Sequence, residues 1–238
     1  MFLPAGESMQ PADAGLPQAE PLDIRTLDGE RLRVWHIAPK PGRAVFLYFH
    51  GNAGSLADRA ATFRALTARG DGLLALSYRG YPGSTGSPSE DGLARDADAL
   101  YAQAQAMGYG GPRLVFVGES LGAGVAVPLA ARRAVAALIL DAPFVSAVEL
   151  AAEHYWMFPV RLLMRDPFRT DLALAAVRAP ALILHGARDP VTPVAHGRRL
   201  FALAREPKRF IEIAEGGHLV LDRAMTQALD WTEQAIRR

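Results

Sequence analysis

A serine flanked by glycines, six histidines and no cysteine bound the chemistry open to this 238-residue chain. Gly118-Glu119-Ser120-Leu121-Gly122 fits G-x-S-x-G, a weak signal by itself. Its context is stronger. It follows the apolar run 114–117 and opens a helical run over 121–133, with Ala123 and Gly124 keeping the crossing compact. A serine on such a strand-to-helix turn exposes its hydroxyl, and the helix N-terminus favours negative charge developing beside it. The pattern therefore predicts a nucleophile. The plainer alternative is an N-cap serine among packing glycines.

A serine nucleophile needs a base, and the base an orienting acid. On a doubly wound sheet the order is Ser, acid, His. His36 and His50 precede Ser120. His154 lies in an irregular stretch, His185 ends a strand as a core residue, and His196 falls inside a helical run, where a solvent-facing position is expected. His218 follows the β-type run 209–213 and the pair Gly216-Gly217, in a loop able to swing an imidazole over the serine. Asp189, after the run 181–185, is the preferred acid, although an aspartate before Pro190 also reads as a turn former and helix N-cap. Asp141, after the run 136–140, is the rival at the same sheet edge. Glu212 and Glu215 sit too close to His218 in sequence to be first choices.

The tetrahedral intermediate of acyl transfer carries an oxyanion that needs preformed N–H donors. Leu121 N–H is expected to be one. The second is assigned to Asn52 N–H, with Ala53 adjacent, in the glycine-rich loop His50-Gly51-Asn52-Ala53-Gly54-Ser55.

The elements that must hold these groups follow from periodicity. Residues 4–21 are proline-rich and aperiodic, so 1–21 read as an extended N-terminal arm. Runs 22–27 and 31–38, split by Asp28-Gly29, predict an antiparallel hairpin. Run 44–49 is continuously apolar, as in a strand buried on both faces. A helix capped by Ser55 and stopped at Gly70, a strand over 73–78, and a helix opened by a capping box at Ser87-Pro88-Ser89-Glu90 come next. Further helical runs, 193–205 and 223–238, alternate with the late strands. Residues 22–238 thus predict a single α/β domain with a mostly parallel sheet, an antiparallel N-terminal edge and helices on both faces.

Composition limits the partners. Twenty-six basic against 25 acidic residues give a net charge of +1, no electrostatic case for nucleic acid or an anionic membrane as partner. Without cysteine there are no disulfides, thiolate metal sites or cysteine nucleophile. No apolar run approaches membrane-spanning length, and Met1-Phe2-Leu3-Pro4 lacks a basic leader, so a cytoplasmic protein without a membrane segment is expected.

Taken together, Phe49-His50-Gly51-Asn52-Ala53-Gly54, Tyr78-Arg79-Gly80-Tyr81-Pro82-Gly83-Ser84, Gly118-Glu119-Ser120-Leu121-Gly122 and His185-Gly186-Ala187-Arg188-Asp189 resemble the α/β-hydrolase superfamily. The similarity is to its small α/β-hydrolase domain-containing branch, which groups with serine-aminopeptidase-like and monoglyceride-lipase-like hydrolases. It runs from about residue 22 to the C-terminus and implies Ser120, Asp189 and His218 as the triad. Two features depart from the branch. Relatives often carry an N-terminal membrane segment, and many have His-Asn where this chain has His218-Leu219.

The resemblance implies a short helical cap inserted at about 144–178. There Phe144, Tyr155, Trp156, Met157 and Phe158 are candidate acyl-chain contacts, with Tyr81 and Pro82 as another pocket wall. The expected activity is metal- and cofactor-independent cleavage of small carboxylic esters through an acyl-enzyme. Thioester or amide and peptide cleavage by the same residues is the nearest alternative, and a non-catalytic binding module on the same fold is the alternative of another class.

Overall fold

Each central strand alternates its side chains between two hydrophobic cores, and this period-two division fixes the architecture. Val45, Leu47 and Phe49 join Leu114, Phe116, Leu138 and Leu140 on one face. Phe46 and Tyr48 join Val115, Val117, Ala137 and Ile139 on the other. In the computed structural model, which describes residues 2–237, eight strands form one sheet. They are β1 (Glu20–Arg25), β2 (Arg31–Ile37), β3 (Val45–Phe49), β4 (Gly72–Leu76), β5 (Leu114–Glu119), β6 (Ala137–Asp141), β7 (Ala181–Gly186) and β8 (Lys208–Ile213). Their spatial order is β8-β7-β6-β5-β3-β4-β2-β1. β2 runs antiparallel to both β1 and β4, while β3 to β8 pair in parallel.

Helices cover both faces. α1 (Ala60–Thr67) and α8 (Met225–Ile236) enclose one core; α2 (Glu90–Ala106) and α3 (Leu121–Arg132) enclose the other. Between β6 and β7 lie the short helices α4 (Ala147–His154), α5 (Val160–Leu163) and α6 (Thr170–Leu174), the helical cap. α7 (Val194–Leu203) links β7 to β8. No helix among the described residues is long and apolar enough to cross a membrane.

Three local expectations shift. β1 ends at Arg25 because the hairpin turn already begins at Thr26, whose N–H donates to Glu30 O at 3.0 Å, and it starts at Glu20, which pairs with His36. α2 is capped by Ser89, not Ser87: the Ser89 hydroxyl accepts from Gly92 N at 3.1 Å. The Glu90 carboxylate meanwhile accepts from Phe168 N at 2.9 Å, so no capping box forms. Ser55 caps no helix either, since a 3-10 turn (Ala57–Arg59) precedes α1 and the Ser55 hydroxyl donates to Asp58 Oδ2.

Along the N-terminal arm, Leu3–Pro4 pairs in parallel with Ala53–Gly54 of the loop after β3, and Leu16 is fully buried in the α1/α8 core.

Candidate active site

Ser120 stands between β5 and α3 with φ 50° and ψ −108°, a positive-φ conformation that the turn imposes on a non-glycine residue. The turn is tight enough that a Cβ on Gly122 would lie 1.8 Å from Phe49 O, and one on Gly118 would lie 2.8 Å from Ala123 Cα. Glycine at both positions is thus a condition for Ser120 to crest the sheet. Gly124 serves differently, admitting the rings of Phe144 and Phe168 against α3.

Ser120 Oγ lies 3.0 Å from His218 Nε2, and His218 Nδ1 lies 2.9 Å from Asp189 Oδ2. With Nδ1–H donating to the carboxylate, Nε2 is left to accept from the serine hydroxyl. Asp189 meets both of its sequence readings at once. Its Oδ1 accepts the N–H groups of Val191 and Thr192, each at 2.8 Å, which forms the turn, while Oδ2 faces the imidazole. It is not the cap of α7, which begins only at Val194. The carboxyl is buried, which alone would raise its pKa. Bonds from His185, His218 and Thr192 N–H outweigh that and hold it well below the usual carboxylate range.

Asp141, the rival acid, makes no bond to His218. It accepts from Val220 N at 3.1 Å and Leu221 N at 2.9 Å, pinning the chain just after His218. Burial pushes its pKa up to about 7, against the lowering effect of those two donors. The other histidines have structural partners. His36 bonds the Tyr109 hydroxyl, His50 is buried with Nδ1 on Gly51 O, His154 bonds Leu150 O, and His185 bonds Thr192 O. His196, expected to face solvent, is instead 1% exposed. It ties α7 to the cap through Val145 N and Glu153, contacts invisible in a local pattern.

A cavity of about 820 Å³ opens over Ser120 and His218, and Leu121, Asn52 and Ala53 all border it. Leu121 is the first residue of α3, where N–H groups have no intrahelical acceptor. Asn52 Oδ1 accepts from Leu3 N at 3.1 Å and from the Tyr81 hydroxyl at 2.9 Å, so the arm and the loop after β4 both brace this segment.

Of the expected substrate contacts, Phe144 and Tyr155 border the cavity, together with Leu150, Val160 and Met164. Tyr81, Trp156 and Phe158 do not. Tyr81 is 2% exposed and spends its hydroxyl on Asn52. Trp156 and Phe158 lie beyond the end of α4 on a turn closed by Phe158 N and Tyr155 O, which carries them into solvent. Pro82 and Met157 are likewise outside the cavity wall.

Sequence reasoning missed Arg59 and Leu3, which also border the cavity. Arg59 binds the Glu119 carboxylate beside Ser120, and the Tyr48 hydroxyl donates to the same carboxylate at 2.7 Å. An acid in the x position of a buried turn was the available signal, because such a charge requires a partner.

The strand order and the serine turn define an α/β hydrolase. The chain belongs to the serine aminopeptidase (S33) family, which it matches over residues 40–167. It is 39% identical over 222 residues to the uncharacterized protein Rv2307c of Mycobacterium tuberculosis (strain ATCC 25618 / H37Rv), covering 92% of this chain and 79% of that protein. It is 30% identical to the lysophosphatidylserine lipase ABHD12 of Danio rerio, covering 84% of this chain and 62% of that one. Among solved structures, the Pyrococcus furiosus esterase Pf2001 shares the fold with a TM-score of 0.78 at 16% identity, over 100% of this chain and 98% of that one.

Proposed function

We propose that this hydrolase is a serine esterase acting on small carboxylic esters through a covalent acyl-enzyme. The observation that carries the reading is the hydrogen-bonded line from Ser120 Oγ through His218 to Asp189 at the floor of an apolar cavity. Ser120 Oγ attacks the ester carbonyl carbon as His218 Nε2 takes its proton. Asp189 keeps the imidazole in the Nδ1–H tautomer and stabilises the imidazolium. The N–H groups of Leu121 and Asn52 receive the oxyanion; one such donor is commonly worth about 3–4 kcal/mol in the transition state. His218 then protonates the departing alcohol and activates water, which releases the acid and restores Ser120.

The cavity wall supports an acyl substrate, since Phe144, Leu150, Val160 and Met164 offer apolar surface for its chain. The lysophosphatidylserine lipases among its relatives act, by name, on a lipid.

The test is intact-mass analysis after fluorophosphonate treatment of the wild type and Ser120→Ala, followed by p-nitrophenyl esters of increasing chain length. One adduct on Ser120, absent from the variant, with ester turnover lost in parallel, is the expected result. Unchanged turnover in Ser120→Ala would overturn the assignment. Matched ester, thioester and aminoacyl-amide substrates rank the bond types, with the ester expected to be fastest.

A further inference from the structure

Large apolar side chains scattered singly over a surface need no explanation, but a contiguous patch does. Thirteen are exposed among the described residues, and six of these fall within residues 155–163 of the cap. They are Tyr155 (61% exposed), Trp156 (79%), Met157 (74%), Phe158 (64%), Leu162 (86%) and Leu163 (68%). The patch adjoins the catalytic cavity, since Tyr155 belongs to both. Leu3, Val191 and Leu219, also exposed, continue apolar surface around the cavity rim.

Its charge is one-sided. No acidic residue occurs from His154 to Arg165, and Arg161 and Arg165 are exposed without an ion-pair partner among the described residues. Of the neighbouring acids, Glu149 ion-pairs with Arg199 and also lies within electrostatic reach of Arg161, Asp171 pairs with Arg169, Asp166 accepts from Glu90 N, and Glu153 hydrogen-bonds His196. The whole-chain charge of +1 conceals this clustering.

From these observations we infer that residues 155–163 dock the protein onto an anionic lipid bilayer, with the cavity mouth facing the membrane surface. Aromatic and aliphatic side chains enter the boundary between headgroups and acyl chains, while Arg161 and Arg165 meet lipid phosphates. A second copy of the chain fits this face less well. A two-fold contact would bring two copies of the same basic face together, with no acid among residues 154–165 to answer Arg161 and Arg165. Delivery of a lipid ester from the bilayer to Ser120 rests on the esterase reading; the docking itself does not.

The test is flotation of the full chain with vesicles of phosphatidylcholine alone and of phosphatidylcholine with 30% phosphatidylglycerol (about one lipid in three), read alongside Trp156 fluorescence. Wild-type protein is expected to float with the anionic vesicles and to show a blue shift that Trp156→Phe removes. The triple variant Met157→Ser/Leu162→Ser/Leu163→Ser should stay in the aqueous fraction while melting within a few degrees of wild type. Arg161→Gln/Arg165→Gln should weaken partition onto the anionic vesicles by about fivefold per arginine, with little change on phosphatidylcholine. Wild type that fails to float, or a triple variant that floats equally well, overturns docking. So does a concentration-dependent dimer broken by the triple variant without vesicle binding, because the patch then joins two copies. Fluorophosphonate labelling of Ser120 in solution tests the esterase reading separately.

Discussion

Arg59 lays its guanidinium along the carboxylate of Glu119, with Nη2 to Oε1 at 2.8 Å and Nε to Oε2 at 3.3 Å, one residue before the serine. The pair joins the segment leading into α1 to the end of β5, and the Glu119 side chain is only 3% exposed. Burial would raise the Glu119 pKa, but Arg59 and Tyr48 overcome it and leave the group below its ordinary value. In the wild type this contribution is present above the unfolded pKa and is lost as pH falls through the folded one.

Arg59→Ala strands a buried carboxylate and is expected to cost about 3–5 kcal/mol. Burial then dominates, and the Glu119 pKa rises above its unfolded value. A carboxyl raised by folding loses stability as pH increases, so the variant should melt closer to wild type at pH 5 than at pH 8. Thermal melts at the two pH values check this, and an equal deficit at both would refute it.

Asp189→Asn should keep the turn, because an amide oxygen can still accept from Val191 and Thr192. Its NH2 group, however, faces His218 Nδ1 and favours the tautomer whose Nε2 already carries a proton. That ring cannot accept from Ser120. Turnover on a p-nitrophenyl ester should fall by roughly 10⁴-fold with the melting temperature little changed. Residual activity within tenfold of wild type would show that the carboxylate does not orient the base.

Gly122→Ala drives a methyl into Phe49 O, a backbone atom that no rotamer change can move. The expected cost exceeds the roughly 1–3 kcal/mol of ordinary overpacking. Gly217→Ala is the matched control, since its added Cβ meets nothing within 4 Å. Denaturant melts should show the first strongly destabilised and the second close to wild type; similar values would contradict the close crossing of β3 and α3.

Asp141, with its pKa near 7 in the fold, holds a proton between about pH 4 and pH 7 that the unfolded chain releases. Its contribution to stability should therefore decline through that window as pH rises, by at most about 1.4 kcal/mol per pH unit. Asp141→Asn cannot titrate. It should lower stability overall, through weaker acceptance from Val220 and Leu221, yet flatten the pH dependence between pH 4 and 7. Parallel slopes for the two proteins would remove Asp141 as the titrating group.

Much of the architecture is legible in the sequence because it is written locally. The apolar runs mark the buried strands, Asp28-Gly29 marks the hairpin, and Ser120, Asp189 and His218 each follow a strand at one edge of the sheet. The structure brings those three side chains into hydrogen-bond distance. What was illegible depends on partners far along the chain. Glu90 fits a capping box by spacing, but Phe168 N claims its carboxylate across 78 residues. His196 fits an exposed helix face, but Val145 and Glu153 bury it. Tyr81 fits a pocket wall by its place after β4, but its hydroxyl reaches Asn52, which no local pattern discloses.

β6 and β7 are adjacent and in register, Leu138 opposite Ala181, although some forty residues separate them in the chain. The excursion carrying α4, α5 and α6 therefore leaves the sheet and returns to the neighbouring strand. Loop-closure entropy grows only with the logarithm of length, so inserts of different size there cost nearly the same. Asp189 and His218 are placed by β7, β8 and the turn on Asp141, all outside the excursion. The exposed middle of the excursion, residues 155–163, can thus change in length while its anchored ends and the Ser120–His218–Asp189 line stay where they are.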